Sequence, residues 1–142
     1  MAAGTATSQD GELILKLYDL RREPVMRQAR DAMVTKFHPK TFEEILGVTK
    51  PDHPLNTAYR MVSSYWEMAA GLSKHGALNL GLFSENCGEG LILFAKVQPH
   101  LERIRKDITP TAYLNMEWVV RNSPEAQMRL ELVKKRMAAK PS

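Results

Sequence analysis

From Pro54 to Gly76 the chain reads PLNTAYRMVSSYWEMAAGLSKHG, and its apolar positions return at helical spacing. Leu55, Ala58, Tyr59, Val62, Tyr65, Trp66, Ala69 and Leu72 share one face, while Asn56, Arg60, Ser63, Ser64 and Lys74 fill the other. Met61 and Met68 widen the apolar face beyond a narrow stripe. So broad a face needs cover from several sides, which makes this helix the central post of a helical bundle. Its predicted partner is the helix carrying Leu91–Ile104, and Trp66 is expected to be buried.

The rest of the chain is punctuated for helices. Ser8 is a candidate cap for a first helix bearing Leu13, Ile14, Leu17, Tyr18 and Leu20. Pro24 either starts a second helix or kinks a continuous one, and Val25, Ala29, Met33 and Phe37 continue its apolar face. Thr41 and Glu44 have capping-box spacing for a short helix closed by Gly47. Gly76 stands where a left-handed residue ends the central helix, and Asn79 can cap a brief turn through Leu82 and Phe83. The Asn86–Gly90 stretch breaks the pattern before a helix with Leu91, Phe94, Val97, Leu101 and Ile104 on one face, bent at Pro99. Thr109-Pro110 and Ser123-Pro124 predict two further helix starts. No period-two strand and no internal repeat is present. The expectation is an all-α, single-domain bundle of about five to seven helices over residues 8–138, with residues 1–7 and 139–142 disordered.

Composition narrows the class. At 142 residues, 44% hydrophobic and 25% charged, the chain suits one ordinary globular domain. The net charge of +4 owes much to Arg129, Lys134, Lys135, Arg136 and Lys140 near one chain end. Cations late in a helix complement its dipole, so a solvated helix end accounts for them. The single Cys87 leaves no intrachain disulfide, and no secretory signal or apolar run of membrane-spanning length is visible. A cytoplasmic protein is expected, without a membrane partner.

Candidate chemistry is sparse. No acidic residue is followed by His at the third position, and His38, His53, His75 and His100 are never a helical turn apart, so neither metal nor cofactor is expected. Cys87 precedes a helix, whose N-terminus favours a thiolate, but packing accounts for a lone cysteine equally simply. Gly88-Glu89-Gly90 lacks the remaining residues of a phosphate loop. Phe42–Thr49 resembles the first helix and turn of a helix-turn-helix, yet Pro51 and Pro54 lengthen the connection and the next helix has few bases. The residues left for a pocket between helices are Tyr65, Trp66, Glu67, His75 and Glu89, with Glu67 the first to test because it sits in an apolar stretch.

Several segments in order, Leu17-Tyr-Asp-Leu-Arg-Arg-Glu-Pro24, Tyr65-Trp-Glu-Met-Ala-Ala70, Lys74-His-Gly76, Leu82-Phe83, Gly88-Glu89 and Pro99-His-Leu-Glu-Arg-Ile-Arg105, resemble a group of small bacterial helical proteins of unknown function. The resemblance spans roughly residues 13–121. It implies a bacterial helical domain and transfers no catalytic or ligand residue.

With amphipathic helices, eight methionines and no assembled catalytic set, the expected function is a non-enzymatic interaction module. It would act as a homodimer or as an accessory subunit of another protein. Two alternatives compete with it. One is a small-molecule sensor or enzyme using the pocket around Trp66, Glu67, His75 and Glu89. The other is weak nucleic-acid binding through Arg129, Lys134, Lys135 and Arg136, which lack an interleaved aromatic residue for stacking on bases.

Overall fold

Capping decides where the first helices begin in the computed structural model, which describes residues 4–140. Helix α1 (Ser8–Arg21) is capped by Thr7 rather than Ser8: the Thr7 hydroxyl accepts from the Asp10 N–H, and the Asp10 carboxylate accepts from the Thr7 N–H. Pro24 occupies the first position of a separate helix, α2 (Pro24–Thr35), whose free N–H groups at Val25 and Met26 are bound by the Glu23 carboxylate. In α3 (Phe42–Val48) Thr41 makes the predicted cap to Glu44, but Gly47 does not close the helix. The last turn runs on to Val48, and the Thr49 hydroxyl donates to the Leu46 carbonyl.

The central helix α4 (Asn56–Lys74) ends at His75, and Gly76 takes the left-handed conformation at φ 80°. That conformation lets the N–H groups of Ala77 and Leu78 return to the Leu72 carbonyl. Asn79 caps α5 (Leu80–Ser84). Helix α6 (Gly88–Val97) starts within the expected break, so Gly88 and Gly90 are helical. Pro99 then forces a single 3₁₀ turn, Gln98–His100, before α7 (Leu101–Asp107). The Thr109-Pro110 start is corrected: residues 110–113 form turns, and α8 (Leu114–Asn122) begins only after Tyr113. Ser123 caps α9 (Pro124–Ala139) as its sequence predicts.

The fold is all-α. Helix α4 lies at its centre, packed most extensively on α2 and α8 and also touching α5 and α6. Helix α9 covers α6 and α8, α1 lies on α2 and α5, and α3 lies on α7. Trp66 is buried, with Phe83, Phe94, Ile45, Leu78 and Leu91 among the most enclosed side chains. No helix among the described residues is long and apolar enough to cross a membrane. The disorder expected for 1–3 and 141–142 falls outside the described residues. Within them, the Gly4 carbonyl accepts a hydrogen bond from the Asn79 side chain, and α9 includes Ala139.

Candidate functional site

The motif Leu17–Pro24 forms the corner between α1 and α2, and its Arg21 meets the middle of α4 there. Arg21 reaches from the last turn of α1 over the Trp66 ring, 5.1 Å from its centre, and donates to the Tyr65 hydroxyl at 3.3 Å. The Tyr65 hydroxyl in turn donates to the Leu17 carbonyl. From α2, the Arg30 Nε lies 3.0 Å from both carboxylate oxygens of Glu89, while another Arg30 nitrogen donates to the Arg21 carbonyl. Glu89 also accepts from the Trp66 indole N–H at 3.4 Å.

Tyr65, Trp66 and Glu89 are therefore brought together. Sequence reasoning missed the two arginines that join them. Arg21 carried a signal, since it belongs to the Leu17–Pro24 motif. Arg30 carried none, because only the docking of α2 on α6 places it opposite Glu89. Chemically the cluster is closed: the Glu89 carboxylate is held by Arg30 and Trp66, and burial pushes the Tyr65 phenol above its usual range. It fastens α1 and α2 to α4 and α6. Beside it, along the exposed side of α2, runs an open hollow of about 650 Å³ with Arg27, Arg30, Asp31 and Glu89 in its walls.

The other two candidates lie elsewhere. Glu67 faces α8, where its carboxylate accepts from the backbone N–H groups of Asn115 at 3.1 Å and Met116 at 2.8 Å. It supplies the cap that α8 lacks in its own sequence, since Tyr113 offers no side-chain bond there. His75 is exposed at the end of α4, where its backbone N–H bonds to Gly71. Lys96 performs the opposite service to Glu67. It is buried, and its ammonium donates to the Met33 and Val34 carbonyls at the end of α2. Burial, with Lys140 nearby, lowers its pKa from 10.5 to about 8.

Cys87 is enclosed before α6, and burial pushes its thiol up to about 12, so the helix N-terminus does not activate it. In α9, Arg129 is paired with Glu125 and Lys134 approaches Glu131, while Lys135 and Arg136 are exposed. No group of three or more metal-binding side chains occurs among the described residues.

A family model described as a domain of unknown function (DUF4760) matches residues 6–123. The chain belongs to this family. The DUF4760 match takes in α1 to α8 and with them the Arg21–Trp66 and Arg30–Glu89 contacts and the Glu67 cap; α9 follows it. No curated protein and no solved structure matches the chain.

Proposed function

We propose that this DUF4760 domain is a non-enzymatic interaction module that pairs with a second copy of itself through the outer face of α1. The observation carrying this reading is that α1 carries large apolar side chains away from the body of the protein as well as against it. Leu13, Ile14 and Leu17 face the body of the protein, and yet Leu15 is 67% exposed, Tyr18 51% and Leu20 47%. Large apolar side chains left uncovered together on one short helix mark a surface for a partner. The Arg21–Trp66 and Arg30–Glu89 contacts support the reading, because they hold the α1–α2 corner rigidly and so keep that face in one shape for a partner. Arg21 and Arg22 both lie over the Tyr18 ring, at 5.5 and 5.7 Å, which fixes one edge of the face. A cytoplasmic location fits a chain whose one cysteine is a buried free thiol.

Sedimentation velocity over a range up to about 100 µM tests the proposal, since a dimer of useful affinity forms below that concentration. The wild type should sediment as a dimer, and Leu15→Glu should be monomeric with unchanged helical circular dichroism. A wild-type monomer throughout, or a dimer indifferent to Leu15→Glu and Tyr18→Glu, would remove this reading.

A further inference from the structure

We infer that the cleft between α4, α7 and the Ile108–Tyr113 turn binds a small, largely apolar molecule that presents one neutral hydrogen-bond acceptor to the hydroxyl pair of Tyr59 and Tyr113. The cleft is separate from the α1 face and does not depend on pairing. Its volume is about 290 Å³, room for about ten water-sized groups. Ile104, Ile108 and Ala112 give it apolar walls, and Tyr59 and Tyr113 both line it.

The two phenol oxygens lie 2.6 Å apart, so one hydroxyl donates to the other. Two phenols carry two protons, and only one of these lies between the oxygens. Among the described residues no second hydrogen bond reaches either hydroxyl, and both side chains are buried. The second proton has no acceptor among the described residues, and the cleft is the open space that both tyrosines line. A donor already hydrogen-bonded as an acceptor is polarised and binds an incoming acceptor more strongly. Burial also raises the pKa of both phenols, which keeps them protonated.

The surroundings select a neutral acceptor. Glu67 belongs to the lining, and the field of its carboxylate opposes a negative charge beside Tyr113. Arg60 lies in the exposed part of the lining, where it can meet a second polar group outside the cleft. The backbone adds an independent sign of a functional demand. Tyr113 has φ 58°, the only positive value on a non-glycine residue among those described. A bulky aromatic residue rarely adopts it, and such strain persists where surroundings enforce it. Here Arg105 holds the Ala112 carbonyl on one side and Glu67 binds the N–H groups of Asn115 and Met116 on the other. Together they hold the Tyr113 hydroxyl at Tyr59.

The test is an amide NMR titration of the full chain with acetophenone, with ethylbenzene as the probe of similar shape lacking the acceptor, and with benzoate as the anionic one. Acetophenone should move the amides of Ile108, Thr109, Thr111, Ala112 and Tyr113, and those of residues 59–64, saturably. It should bind about fivefold more tightly than ethylbenzene, the worth of one neutral hydrogen bond, and more tightly than benzoate. In the double variant Tyr59→Phe/Tyr113→Phe, with the same spectrum confirming the fold, the preference for acetophenone should vanish while ethylbenzene still binds. No saturable shift at the cleft, equal affinity for acetophenone and ethylbenzene, or a preference surviving in the double variant would overturn the inference. If the double variant does not fold, the comparison of probes on the wild type decides alone.

Discussion

Gly90 lies against the face of Trp66 so closely that a Cβ built on it would stand 2.9 Å from the indole Cδ2 and 3.0 Å from Cε3. The ring system has further neighbours, since Arg21 lies over it and Tyr65 packs against it in a T-shaped arrangement with ring centres 5.0 Å apart. The indole is thus held between α6, α1 and its own helix. Its N–H is directed at Glu89, the residue next to Gly90, so one turn of α6 supplies both the steric gap and the hydrogen-bond acceptor.

A Gly90→Ala change should therefore destabilise the protein by about 1–3 kcal/mol, the usual cost of forcing an extra carbon into a filled core. Helix propensity works in the other direction, so the loss would be steric. Gly88→Ala is the control: nothing lies within 4 Å of its Cβ position, and the variant should be neutral or slightly stabilised. Urea unfolding of the two variants measures both. Equal behaviour would show that the indole can move aside.

Glu67 acts through α8. Replacing it with Ala leaves the N–H groups of Asn115 and Met116 without their acceptor and removes a negative charge from a helix start. The expected loss is about 1–2 kcal/mol, with Glu67→Gln intermediate. Hydrogen exchange should speed up first at Asn115 and Met116. Uniform acceleration over the chain would contradict a local capping role.

Arg30 and Glu89 join α2 to α6 across a part-buried boundary, with side-chain exposures of 29% and 19%. Removing either alone strands a charge, so the losses in Arg30→Ala and Glu89→Ala should add up to more than the loss in the double variant. A double-mutant cycle should give a coupling of about 1 kcal/mol or more. A coupling indistinguishable from zero would reduce the pair to a surface contact.

Lys96 sets an alkaline dependence. Its folded pKa of about 8 lies below the ordinary 10.5, so between these values the folded state binds fewer protons than the unfolded one. Its contribution to stability should rise as pH increases through that window. Cys87 and the buried tyrosines act oppositely, since a raised folded pKa gives stability that fades as pH climbs past the unfolded value. Denaturant unfolding of wild type and Lys96→Met in parallel separates these effects. The stability of the wild type relative to the variant should increase with pH above about 8, and a constant difference would refute the assignment.

Much of the fold was legible in the local pattern. The apolar face of Tyr59, Val62, Trp66 and Ala69 fixes α4 as a buried post, because period and burial are properties of one segment. Pro24, Gly76, Pro99 and Ser123 mark helix boundaries through their own backbone chemistry, wherever the segment later packs. The same local logic failed at Thr109-Pro110. There the turn is set by Tyr113 docking on Tyr59 and by Arg105 holding Ala112, contacts from other helices that no cap rule can see.

Site residues divided in the same way. Tyr65, Trp66 and Glu89 could be marked from their types and neighbours, but the sequence could not assign Glu67 to a helix terminus, Lys96 to another, or Arg30 to Glu89. A charged side chain in an apolar stretch announces only that it needs a partner. Which partner it finds depends on helices far apart in the chain being brought together, and only the tertiary packing settles that. The sequence determined that the chain is helical, where most helices are punctuated and which face α4 buries. Packing decided what each buried charge touches, because such contacts depend on the relative placement of whole helices, which no local periodicity encodes.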